Sequence, residues 1–187
     1  MYLVEYFIKN ERFTAGPYGL AEIDYQFADI VGYEGIKNAS IIPYVEIKFY
    51  KSNDPNGFLG NFKRSRMFIY DRWWNNVESP YQSKKCIWPE GVSYIWEATT
   101  PKEARDRGQE VEMRSDWDDI KNNVMHECVL AKFIQNQDFL NQLLDTGKAT
   151  LIEDSPVDSY WGCGKDGKGK NQLGLTLMKV REELKGF

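Results

Sequence analysis

Glu78, Gln82 and Lys85 follow one another at spacings of four and three residues. On a helix that begins at Glu78 they place a carboxylate, an amide and an amine on one stripe. Such a stripe suits positioned acid–base or electrostatic work, but taken alone it more often marks a solvated surface ladder. The second concentration of chemistry is the run Asp158-Ser-Tyr-Trp161-Gly162-Cys-Gly-Lys-Asp-Gly167-Lys168-Gly169-Lys170-Asn171-Gln-Leu-Gly174. Its rings offer flat faces for a base, and its glycines let backbone N–H groups approach a ligand. The helix expected after it favours an anion at its start. Taken by residue type, the run reads as a site for a nucleotide-like molecule. Lysines in a glycine loop also serve simply as solvated side chains.

Two familiar patterns inside this run fail on context. Gly162-Cys-Gly164-Lys-Asp-Gly167 spells G-x-G-x-x-G. That fingerprint needs a strand directly before it and a βαβ unit around it. Pro156 and Asp158-Ser-Tyr160 intervene, and no second parallel strand is suggested downstream. Gly162 to Lys168 also spells G-x-x-x-x-G-K, but Gly169 stands where a Ser or Thr hydroxyl would hold Mg²⁺. Cys86, Cys128 and Cys163 form no CxxC pair, and His126 is the single histidine. Neither a disulfide framework nor a metal site is expected.

The elements that must carry these residues follow from periodicity. Tyr2–Ile8 and Ile23–Phe27 read as short strands around a turn at Gly16-Pro17-Tyr-Gly19, and residues 1–44 read as an appendage. Val45–Tyr50 alternates at period two, and Met67–Tyr70 and Thr150–Glu153 are further short strands. Thr100-Pro101-Lys-Glu103 is a capping box, with Gly108 expected just past that helix. A long helix opens at Ser115–Asp118 with Ile120, Val124, Cys128 and Ala131 on one face. Phe139–Leu144 is a short helix closed by Gly147, and Leu173, Leu177, Val180 and Leu184 mark a last amphipathic helix. Strands and helices do not alternate, so the expected class is α+β, helix-dominated, with a small antiparallel β component.

Composition sets the outer limits. At 187 residues the chain suits one domain, residues 45–187, plus the appendage. A net charge of −4 gives no global basic field for a nucleic-acid backbone, so an anionic ligand must be held locally. No apolar stretch approaches the roughly 20 residues of a membrane span. With an N-terminus that lacks a basic n-region, this predicts a cytoplasmic setting.

Successive blocks then carry a family resemblance. Phe49-Tyr50-Lys-Ser52, Gly60-Asn61-Phe62, Glu78 through Lys85, Asp116-Trp117, Lys132-Phe133, Asp158 through Gly162 and Gly167 through Gly174 resemble the NADAR family of YbiA-like proteins, in the family's order. The blocks cover roughly residues 48–185. The resemblance implies cleavage of an N-glycosidic bond between ribose and a base-like nitrogen, in an ADP-ribosylated base or related ribonucleotide. A modified base within a nucleic acid is a further substrate class it allows. It implies catalytic roles for Glu78, Asp158, Lys85 and Trp117. Ligand contacts are implied for Asn61, Phe62, Tyr81, Gln82 and Trp161, and for Gly162, Gly167, Lys168, Gly169, Lys170 and Asn171 in the glycine loop. No metal, redox cofactor or membrane is implied. The sequence departs from the family pattern at Gly60, Gln109 and Ser79, and at Pro80, which bears on how the helix begins. Ser79 stands for the histidine after the glutamate, Gly60 for a serine before Asn61, and Gln109 for an arginine after Gly108. Retained carboxylates favour an enzyme; Ser79 and Gln109 favour the alternative, a module that binds ADP-ribose-like nucleotides without turnover.

Overall fold

A computed structural model describes residues 1–8, 11–32 and 36–186. The chain forms two units, Met1–Glu46 with Lys148–Thr150, and Ile47–Gly147 with Leu151–Phe187. In the first, β1 (Tyr2–Ile8) lies between β2 (Glu11–Tyr18) and β3 (Ile36–Pro43), antiparallel to both. Between β2 and β3 runs a helix, α1 (Leu20–Val31), where the sequence suggested a strand at Ile23–Phe27. Ile23, Phe27 and Ile30 explain the difference: they are spaced four and three apart, and they pack with Val4 of β1 in one cluster. The helical stripe outweighs a five-residue alternation. Gly16-Pro17 sits inside β2, and Gly19 caps α1. Lys148 joins this unit through its ammonium, 2.9 and 3.1 Å from the Glu5 carboxylate oxygens.

The second unit is mostly helical. After β4 (Glu46–Phe49) come a hairpin, β5 (Met67–Ile69) and β6 (Arg72–Trp74), and the buried α2 (Glu78–Ser83). Four helices follow, α3 (Pro89–Trp96), α4 (Pro101–Glu110), α5 (Trp117–Ile134) and α6 (Gln137–Asp145). The chain ends through β7 (Thr150–Glu153) and α7 (Gln172–Glu183). β7 pairs with β4. The Thr150 N–H donates to Val45 and the Asp154 N–H to Phe49, so the two strands advance in the same direction. The core is built on α5, whose Val124, Met125, Cys128, Val129 and Phe133 pack with Leu173, Leu177 and Val180 of α7. Burying each such side chain contributes on the order of 1.5–3 kcal/mol.

Two helix ends show how close packing selects residues. Thr100 Oγ1 accepts the Glu103 N–H, as the capping pattern requires, but Glu103 returns its carboxylate to Thr99 rather than Thr100. The helix also runs past Gly108, which is an internal packing position. A Cβ there would fall 2.2 Å from Gln82 Oε1. Gly174 lets α7 approach β7 in the same way, since its Cβ would fall 2.1 Å from the Leu151 carbonyl oxygen. Gly174→Ala is therefore expected to lower stability by about 1–3 kcal/mol through overpacking, read as a shift in urea midpoint. Leu175→Ala, at the exposed neighbour, should change it by less than about 0.5 kcal/mol. Equal shifts would remove the packing account.

Candidate active site

A cavity of about 730 Å³ opens in the second unit, within the range of sites for nucleotide-sized ligands. Asn61, Phe62, Glu78, Tyr81, Gln82, Lys85, Asp158 and Trp161 all line it, so much of the sequence-predicted set is brought together. Tyr50, Lys51, Arg105, Gln109 and Glu153 line it too.

The floor is α2. The Asn61 carbonyl accepts the N–H groups of Val77 and Glu78 at 3.1 and 3.3 Å, and Asn76 Oδ1 accepts both the N–H and the hydroxyl of Ser79. The helix start is thus satisfied internally, and Ser79, which replaces the family's histidine, is committed to it. One turn on, Gln82 Nε2 donates to Glu78 Oε1 at 2.7 Å. Burial pushes the Glu78 carboxyl up; the Gln82 bond, Lys85 and Arg105 pull it down, and Asp158 adds to the rise. Lys85 lies just past the helix end with its Nζ 5.8 Å from the Trp117 ring centre. Burial lowers its pKa, against the raising effect of Glu78.

Aromatic rings form one wall. Tyr81 packs on Trp117 at 5.0 Å and meets Trp161 edge-on at 5.5 Å. Trp117 is buried beneath Tyr81 and is absent from the cavity lining, so it acts on the site through Tyr81 and Lys85. Opposite chemistry comes from α4, where Arg105 lies 5.6 Å from the Phe62 ring. Beneath the Gly60–Phe62 segment, the buried Lys132 ammonium donates to the carbonyls of Phe58 and Gly60 at 2.5 and 2.9 Å. Burial, with Lys63 nearby, pulls its pKa down to about 7. An amine on a core helix thus fixes a cavity-lining turn.

The glycine loop differs from the sequence reading. Gly162, Gly167, Lys168, Gly169, Lys170 and Asn171 are all absent from the cavity lining, and the N–H groups of Gly167, Lys168, Gly169, Lys170 and Asn171 donate within the protein. Gly164 donates to Asp158, Gly169 to Cys163, Lys170 to Ser159 and Asn171 to Gly162. Lys168 donates to its neighbour Asp166, and its side chain is exposed, as is that of Lys170. An N–H already bonded internally has nothing to give a phosphate. The loop instead braces two carboxyl groups. Asn171, in the left-handed region at φ 49°, accepts the Glu153 N–H on Oδ1 at 2.9 Å and donates to Leu151 from Nδ2 at 2.8 Å. The Cys163 N–H holds the Glu153 carbonyl at 2.9 Å. Asp158 Oδ1 accepts the N–H groups of Tyr160 and Trp161 at 2.9 and 2.8 Å, which fixes its orientation.

Sequence reasoning missed Glu153 and Arg105. Glu153 ends a short strand with no motif around it, and its backbone is held by Asn171 and Cys163 of the loop, contacts that form only in the folded chain. Arg105 sits in a charged helix whose composition suggests a solvated face. The available signal was position, since carboxyl ends of strands are frequent sites for function.

The NADAR domain model matches residues 48–185. An N-glycosidase of Nostoc punctiforme is 42% identical over 146 residues, spanning 75% of this chain and 94% of that protein. The N-glycosidase YbiA of Escherichia coli is 34% identical over 142 residues, spanning 74% and 88%. The NMR structure of E. coli YbiA matches with a TM-score of 0.71 at 32% identity, covering 76% of this chain and 86% of that one. A riboflavin biosynthesis protein of Vibrio vulnificus is 38% identical over 140 residues, which is 74% of this chain and 38% of that longer protein.

The bracing role of the loop separates two glycines. Gly169 has no room for a Cβ, which would lie 2.4 Å from the Gly162 carbonyl oxygen, whereas Gly167, at φ 73°, faces open space. Gly169→Ala should cost about 1–3 kcal/mol and lower activity by displacing Asp158 and Glu153. Gly167→Ala should cost only about 1 kcal/mol of backbone strain and leave activity intact. Thermal melts with parallel assays check this, and a larger activity loss at Gly167 would restore the ligand-binding reading of the loop.

Proposed function

The chain belongs to the NADAR family, and we propose that it is an N-glycosidase that hydrolyses the bond between ribosyl C1′ and a base nitrogen in an ADP-ribosylated base or related ribonucleotide. The observation that carries this is the meeting of Glu78, Lys85 and Asp158 in one aromatic-walled cavity. Breaking a ribosyl C–N bond builds positive charge at C1′, and a fixed carboxylate stabilises that charge far better in a buried site than in water. Glu78, oriented by Gln82, takes that role. Asp158, held by two backbone N–H groups, activates the attacking water. The base stacks on the rings of the cavity, with Trp161 and Phe62 the available faces. Arg105 and Lys51 supply positive charge at the lining for a phosphate. The relatives named for N-glycosidase activity and for riboflavin biosynthesis support a substrate of this class.

Incubation with ADP-ribosylated guanosine and with aminouracil ribotides, followed by mass analysis, tests the reading. The expected products are a free base or nucleoside and the ribosyl moiety with one water added. Glu78→Gln and Asp158→Asn should each keep the fold and reduce turnover at least about a hundredfold. Near wild-type turnover in both would remove their assignment.

Lys85 admits a second reading, which its lowered pKa favours. A lowered pKa eases loss of the ammonium proton, and the amine so formed can attack the ring-opened sugar and form a Schiff base. Borohydride added during turnover distinguishes the two. Direct hydrolysis predicts no adduct and partial activity in Lys85→Arg. A trapped peptide containing Lys85, with Lys85→Arg inactive, would establish the covalent route instead.

A further inference from the structure

Glu153 is the carboxyl group of the cavity that the mechanism above leaves idle. It closes β7 and lines the cavity beside Asp158 and Glu78. Its backbone is clamped on both sides, the N–H by the Asn171 side chain and the carbonyl by the Cys163 N–H. Its side chain is treated differently from the other two. Glu78 receives a hydrogen bond from Gln82, and Asp158 receives two from the backbone. Glu153 Oε2 is sealed from solvent with no hydrogen-bond partner.

A buried oxygen without a donor disfavours the anion, because nothing replaces the water that the charge would lose. Charged groups lining the same cavity are Glu78, Lys85, Arg105, Asp158 and Lys51, and the tyrosine hydroxyls are Tyr50 and Tyr81. The cations do not offset burial at Glu153: burial, then Asp158, then Glu78 push its pKa up to about 8. Among the described residues no set of three His, Cys, Asp or Glu side chains is placed to share a metal ion. Burial and the neighbouring carboxyls together favour the protonated form of Glu153.

We propose that Glu153 is the catalytic proton donor to the leaving base, a role that rests on the hydrolase reading. The C1′–N bond breaks with its electron pair passing to the base nitrogen, which takes the proton of the Glu153 carboxyl. The water that adds to C1′ gives a proton to Asp158, and exchange with solvent returns each carboxyl to its starting state. The base leaves neutral, the sugar gains a hydroxyl, and no other reactant is consumed. The clamp on the backbone explains the loop: it holds the donor and the water-activating group in one frame.

The test combines a titration that needs no turnover with kinetics on ADP-ribosylated guanosine. In protein carrying ¹³C-carboxyl glutamate, one signal, absent from Glu153→Gln, should titrate near 8. Wild-type kcat/KM should fall as pH rises through that value, since a donor must be protonated. Glu153→Gln should lose at least about a hundredfold in rate at neutral pH and lose the alkaline limb. Glu153→Asp, which keeps an acid, should retain part of the rate and a limb, and it serves if Glu153→Gln does not fold. Titration of Glu153 in the ordinary carboxylate range overturns the donor role alone, as does an unaltered rate and limb in Glu153→Gln. Absence of turnover by wild type on both the guanosine conjugate and aminouracil ribotides removes the hydrolase reading, and the donor role with it.

Discussion

Three carboxyl groups share one largely buried cavity, and the rest of the second unit is arranged around that cost. Like charges in a low-dielectric setting raise one another's affinity for protons. Hydrogen-bond donors are distributed unequally among the three, with one to Glu78, two to Asp158 and none to Glu153 Oε2. In the proposed mechanism this distribution assigns chemically similar groups to different tasks, which is how a site runs acid and base chemistry at one pH. Lys85 and Arg105 moderate the field without abolishing it.

Positioning such groups requires rigid surroundings, and the chain supplies them with buried polar devices. Lys132 reaches from the core helix α5 to two carbonyls of the turn that carries Asn61 and Phe62. Gly108 leaves the space in which Gln82 can reach Glu78. Asn171 mimics a strand edge for Leu151 and Glu153. Each device is expensive taken alone, whether as a buried amine, a helix glycine or a left-handed asparagine. Together they hold the groups to which the proposed mechanism assigns catalysis in a fixed frame.

The long elements were legible in the sequence because one physical signal dominated each. Leu173, Leu177, Val180 and Leu184 announce α7 and are all buried. The stripe of Glu78, Gln82 and Lys85 proved to line a cavity, although Lys85 stands beyond the helix end. Short elements were harder, since Ile23–Phe27 satisfies two periods and only packing against β1 decides between them. The glycine loop shows a different limit. Its residue types suit a phosphate, and whether its N–H groups are free is a property of the folded loop, which composition does not encode. Glu153 was hidden for the same reason, since the role proposed for it rests on a buried oxygen that no donor contacts.

The account centres on positive charge developing at ribosyl C1′ against fixed carboxylates. The α-secondary deuterium isotope effect on kcat/KM, measured with ADP-ribosylated guanosine labelled at C1′, reads that charge directly. A normal effect, with the protiated substrate reacting faster, is predicted as C1′ flattens toward an oxocarbenium ion. An effect of unity in a reaction limited by bond cleavage would contradict it.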